Sequence, residues 1–199
     1  MNIRIPILLP ALAALTAFQA GCGGARGPYS ADGSGQRDEA RAQATYRSAN
    51  EALASDPKKA EALLREALGY DLYLGPAHNN LGVLMLKQDR LYDAAEEFEW
   101  ARKLMPGNPE PRVNLAIALE RGGKHVDALD AAHAALESAP GNLPAIQAIA
   151  YIQVREGLTD AQTRGHLDTI IMRSTDQRWR DWAQRWRLTL DARPAVAAP

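Results

Sequence analysis

Gly75–Asn108 reads GPAHNNLGVLMLKQDRLYDAAEEFEWARKLMPGN, and the chain repeats this pattern every 34 residues. Leu81-Gly82 returns as Leu115-Ala116 and then as Ile149-Ala150. Ala94 aligns with Ala60 and Ala128, and Ala101 with Ala67 and Ala135. Pro106-Gly107-Asn108 recurs unchanged as Pro140-Gly141-Asn142. Each unit holds an apolar helical stretch, a polar break (Gln88-Asp89-Arg90, Gly122-Gly123-Lys124, Glu156-Gly157), a second helical stretch and a Pro/Gly stop. The small residues fall where two helices must approach closely. The large ones, Leu81, Met85, Leu91, Phe98 and Leu104, fill the space between them.

These columns are similar to those of the tetratricopeptide repeat (TPR), and the likeness covers roughly residues 41–172. The resemblance implies an all-α fold: a right-handed α-solenoid of three to four TPR helix pairs with a C-terminal capping helix. The pairs span 41–74, 75–108, 109–142 and 143–174, with the cap over 175–191 and a tail over 192–199. Both end units depart from the pattern. Arg41–Leu74 has Ser48 in the glycine column and Leu72 in place of the terminal proline. Leu143–Ser174 has Gln162, His166 and Thr169 in the columns where Ala, Phe and Ala belong. Terminal repeats are atypical because each must turn one face to water.

Working outward, Met1–Arg4 carries one positive charge, and Ile5–Phe18 is apolar throughout but for Thr16. That run suits a signal peptide and falls short of the roughly 18–20 residues a membrane-spanning helix needs. Ala20-Gly21-Cys22 follows, and this looks like a bacterial lipoprotein lipobox, with Gln19 where an aliphatic residue is usual. The resemblance implies cleavage after residue 21, acylation of Cys22 and an outer-membrane address facing the periplasm. The alternative is an ordinary secreted protein cut nearby, for instance after Gly23-Gly24-Ala25. Residues 22–40 are rich in Gly, Ser, Asp and Arg with no apolar period, and read as a tether.

The full 199 residues carry 23 Lys+Arg against 24 Asp+Glu, for a net charge of −1. A balance so near neutral argues against nucleic-acid binding, which needs a basic excess. A single Cys excludes a disulfide framework and a Cys-rich zinc site. The four His are dispersed, and no phosphate loop, His-x-x-x-His pair or nucleophile elbow occurs. No enzyme, metal or cofactor reading follows. Glu96, Glu97 and Glu99 with Asp93 form an acidic helical face, read as solvated surface.

In a TPR-like stack the first helix of each pair lines a concave groove for a protein or peptide client. Lys87, Arg121 and Arg155 form a cationic column there at the repeat spacing, and Asn79, Asn80 and Asn114 add amides. Arg holds carboxylates bidentately and Asn both donates and accepts, so these types suit peptide capture. Cations at helix C-termini could instead simply complement the macrodipole. Val83, Val113, Ile117 and Tyr151 supply apolar anchors. Thr45, Ala49 and Glu110 occupy positions where TPRs that bind a terminal carboxylate carry other residues, which disfavours that mode.

The last helix places Trp179, Trp182, Trp186 and Leu190 on one face with Arg178, Arg180, Arg185 and Arg187 between them. That stripe suits a cap over the last repeat, or a membrane-interface or partner-docking helix. The function expected is a non-enzymatic, lipid-anchored adaptor that helps assemble a cell-envelope complex, such as pilus/secretion or outer-membrane machinery. A soluble periplasmic ligand-binding or catalytic helical domain is the alternative. The oligomeric state is left open.

Overall fold

The computed structural model describes residues 37–192, and these are helix joined by short turns. Nine helices follow in order among the described residues: α1 (Glu39–Ala52), α2 (Pro57–Tyr70), α3 (Gly75–Lys87), α4 (Leu91–Leu104), α5 (Glu110–Arg121), α6 (His125–Ser138), α7 (Leu143–Arg155), α8 (Ala161–Arg173) and α9 (Gln177–Ala192). The leader at 1–21, Cys22, most of the tether and the tail from 193 lie outside the described residues. Helix α1 begins at Glu39, ahead of the boundary read at Arg41. Asp38 caps it by accepting from the Arg41 N–H at 2.9 Å. Arg37 pairs with buried Asp71 at 2.8 Å, tying the entry of α1 to the exit of α2.

Consecutive helices pack as four hairpins, α1–α2, α3–α4, α5–α6 and α7–α8, with α9 laid on α8. Helix α3 touches α5 and α5 touches α7, whereas α4 and α6, like α6 and α8, barely meet. A stack closed on one side and splayed on the other curves, so the first helix of each pair lines the inner face. Small residues set the close approach within each hairpin. Ala60, Ala67, Ala94, Ala101, Ala128 and Ala135 are all fully buried. A Cβ added at Gly82 would lie 2.6 Å from the ring of buried Phe98, so α3 can sit against α4 only with glycine there.

The turns inside the last three hairpins share one backbone device. Gly123 and Gly157 take positive φ of 76° and 73°, and Asp89, one repeat earlier, takes 62° without being glycine. A left-handed residue stops each first helix and aims the chain into the second.

Both end units differ from the sequence reading by one residue. In α8 the buried residues are Thr163, Leu167 and Ile170, not Gln162, His166 and Thr169. The loop before α8 runs 156–160, longer than its counterparts at 88–90 and 122–124, and shifts the register by one. The spacing of the buried positions is therefore kept, with Thr, Leu and Ile standing where Ala, Phe and Ala stand in the inner repeats. In α1 Ala49 is fully buried and Ser48 exposed, so Ala49 fills the close-contact column, one residue nearer to Ala60 than Gly82 stands to Ala94.

Helix α9 closes the stack. Its Trp179, Trp182 and Trp186 pack on a cluster containing Ile146, Ala150, Val154, Leu167 and Ile170, and Leu190 is itself buried there. Arg187 pairs with Asp168 of α8 at 2.9 Å and with Asp191.

Candidate peptide-binding groove

The inner face is built from α3, α5 and α7, and much of its polar set is committed to holding repeats together. Asn114 donates to Asn79 Oδ1 at 3.1 Å, and Asn79 in turn donates to Glu110 at 3.1 Å. Asn79 is buried, so it cannot meet a partner as the sequence suggested. Asn80 donates to Asn50 Oδ1 at 2.8 Å and to the Tyr46 hydroxyl at 3.1 Å. These amides clamp neighbouring helices, because side chains one repeat apart on first helices fall directly opposite each other.

The cationic column behaves alike at two of its three positions. Arg121 donates to the Leu86 carbonyl at 2.9 Å and to Asp89 at 2.8 Å, reaching back one repeat to the end of α3. Arg155 reaches back to Glu120 of α5, a carboxylate that is almost fully buried. Such backward reach satisfies helix-end carbonyls and acids that would otherwise lack partners. Lys87 lies exposed at the end of α3.

The apolar anchors stay available. Val113, Ile117, Gln147, Tyr151 and Trp179 line a cavity of about 400 Å³ between α5 and α7, its floor formed by Ala116 and Ala148. Tyr151 and Trp179 continue into a second recess walled by Trp182, Asp176 and Arg178. Trp179 and Trp182 meet edge-on at 5.3 Å, and Tyr151 lies 5.9 Å from Trp182. Val83, on α3, packs instead against the core around α1–α4, away from this cavity. Of the sequence-derived set, the structure thus brings Val113, Ile117, Arg121 and Tyr151 together at one cavity. Asn79, Asn80, Val83, Lys87, Asn114 and Arg155 do not line it. Trp179 was the residue missed at this cavity, since its aromatic stripe was read as a cap, or as a membrane-interface or partner-docking helix, and not as a wall of the groove. It both caps and walls.

A second feature was hidden in the acidic face of α4. Glu97 is buried there, not solvated, with Oε2 2.7 Å from Nδ1 of fully buried His78. The other His78 nitrogen lies 2.9 Å from the Leu72 carbonyl, and Trp100 stacks on the ring at 5.6 Å. Burial pushes the Glu97 carboxyl up to about 7 and lowers the His78 imidazolium. The pair lies in the α3–α4 interior and not in the groove.

Among the described residues, no group of three or more His, Cys, Asp or Glu is placed to hold a metal ion. No described helix is long and apolar enough to cross a membrane.

The sequence matches no protein-family model, and no curated protein significantly. Solved structures resemble it in fold. The first TPR of Spaghetti (RPAP3), bound to the HSP90 peptide SRMEEVD, is 15% identical with a TM-score of 0.59, covering 61% of this chain and 98% of that one. YrrB, described as a TPR protein with an unusual peptide-binding site, is 21% identical with a TM-score of 0.62, covering 74% and 76%. Yeast Tom70 is 14% identical with a TM-score of 0.65, covering 75% of this chain but 33% of its own length. Helix pairing, the small-residue columns and these likenesses converge: the described residues have the fold of a TPR solenoid, four helix pairs closed by a ninth helix.

Proposed function

We propose that this protein is a non-enzymatic adaptor that holds a segment of a client protein on its inner face. The cavity between α5 and α7, walled by Trp179, is the observation that carries the reading. It is concave and lined largely by apolar side chains, with a few polar groups (Glu120, Arg121 and Gln147) among them, as peptide-receiving grooves are. Ile117 and Tyr151 are more than a third exposed there, a cost in hydration that binding would relieve. The peptide named for the RPAP3 structure and the peptide-binding site named for YrrB support a groove role for this fold.

The reading extends to location. A leader over 1–21 with Cys22 behind it supports lipid anchoring at the bacterial outer membrane, facing the periplasm. The tether then gives the solenoid reach from the bilayer. A client within a cell-envelope assembly, in pilus/secretion or outer-membrane machinery, fits that placement.

Two measurements test it. A photo-crosslinking residue at Ile117 should give a discrete adduct in cells, while the same residue at exposed Val126 on α6 gives none. Equal labelling at both sites would reject the groove. Mass spectrometry of the mature N-terminus should find acylated Cys22; an unmodified chain starting elsewhere would reject the anchor.

A further inference from the structure

The groove reading leaves the client's chemistry open, and the layering of charge around the cavity narrows it. Tyr151 and Trp179 belong to both recesses, so the two form one continuous aromatic and apolar trough across α5, α7 and the start of α9. Guanidinium groups flank the trough. Arg178 lines the outer recess and Arg121 the inner one; Arg155 lines neither but lies 5.9 Å from the centroid of the Tyr151 ring, which lines both.

Each of these cations has a carboxylate partner, so net charge alone does not decide the matter. Depth does. The Arg155 side chain is 49% exposed over a Glu120 that is 7% exposed. The Arg178 side chain is 91% exposed over an Asp176 that is 37% exposed. Asp89, the exposed partner of Arg121, does not line the trough. Glu120 and Asp176 line the recesses themselves but are the less exposed members of their pairs, so an arriving segment meets more guanidinium than carboxylate. Opposite charge at a rim steers encounter and fixes register, while the apolar floor supplies contact area.

We infer that the client segment carries a large apolar or aromatic side chain that enters the trough, flanked on both sides by Asp or Glu that meet Arg155 and Arg178. This rests on the groove reading above and adds the charge of the ligand. A paired guanidinium retains free N–H donors, since it has five in all and a carboxylate takes two at most in a fork. Arg178 and Arg155 therefore need not abandon Asp176 and Glu120 to accept a second acid.

The test is selection of random peptides displayed on phage against the full chain. Enriched sequences should place Leu, Met, Phe or Trp between acidic residues. A synthetic peptide of the enriched sequence, followed by tryptophan fluorescence, should bind more weakly as salt rises. Arg178→Glu should weaken it tenfold or more, and Ile117→Asp should abolish it. Arg155→Glu would set a second carboxylate on buried Glu120 and could unfold the repeat, so Arg155→Gln, which keeps a donor for Glu120, is the companion variant. It should weaken binding several-fold with a native circular dichroism spectrum. Enrichment that needs Ile117 but shows no acidic bias, or a Lys/Arg bias, overturns this inference and leaves the groove standing. Enrichment indifferent to Ile117→Asp, or none at all, overturns both.

Discussion

His78 and Glu97 share one proton across the α3–α4 interface, with Nδ1 2.7 Å from Oε2. The Leu72 carbonyl can only accept, so Nε2 must carry its hydrogen. One further proton then bridges the imidazole and the carboxyl, and burial keeps it there by disfavouring both charged forms.

Glu97→Gln keeps an amide donor for Nδ1 and should stay within about 1 kcal/mol of wild type at neutral pH. Glu97→Ala should cost on the order of 2–4 kcal/mol, from an unpaired buried nitrogen and a void. The pH profile is more specific. A carboxyl raised from 4.5 to about 7 favours the folded state fully below 4.5 and loses that contribution as pH rises through about 7. His78, lowered, acts in the opposite sense below its ordinary 6.5 in both proteins. Melting temperatures of the wild type should therefore fall between about pH 6.5 and 8, and those of Glu97→Gln should stay level. Parallel curves would place the proton elsewhere.

Gly82→Ala should lower stability by about 1–3 kcal/mol, because the new methyl meets the ring of fully buried Phe98 at 2.6 Å, well inside van der Waals contact. Ala94→Leu on the facing helix should cost a similar amount, about 1–3 kcal/mol, by the same overpacking. Denaturant titration of each variant checks this, with an unchanged midpoint the contrary result.

The shifted register of α8 separates two neighbours. Leu167→Ala empties a fully buried site and should cost about 2–5 kcal/mol. His166→Ala removes a half-buried side chain bonded to Gln153 at 3.0 Å, and should cost about 1 kcal/mol. The reverse order would restore the unshifted register.

Asp89 holds a left-handed backbone where its two counterparts are glycine. Asp89→Gly and Asp89→Ala both lose the Arg121 bond, but only alanine keeps the backbone cost. The glycine variant should be the more stable of the two by about 1 kcal/mol in thermal melts.

Glu61 joins the first two repeats by accepting from Arg65, Gln88 and Arg90. Desolvation works to raise its carboxyl, yet these donors prevail and hold it down at about 2. A depressed acid contributes above 4.5 and loses that contribution as pH falls toward 2. Glu61→Gln should cost on the order of 1–2 kcal/mol at pH 7 and flatten the acid limb of the stability curve.

Leu81, Gly82, Ala94, Phe98 and Ala101 sit in the sequence at intervals that only stacked helix hairpins satisfy, so the architecture was legible. The register of α1 and α8 was not, because one residue lost or gained between the helices of a pair is invisible to a fixed period while it moves every buried position. Ile117 and Tyr151 could be placed on the inner face by spacing alone. Asn79, Asn114, Arg121 and Arg155 were placed equally well, but residue type does not say whether an amide or guanidinium faces a ligand or the repeat before it. Glu97 shows the same limit: nothing in a run of glutamates marks the one opposite a buried histidine.

Trp179 gives the trough a definite end. A fifth helix pair could not follow α8 without displacing the α9 side chains that occupy its exposed surface. The inner face is therefore a cul-de-sac at its carboxyl end, not an open channel. A segment laid along it from the α3 side runs into indole, which fixes how much chain can be held and which way along the stack it is counted.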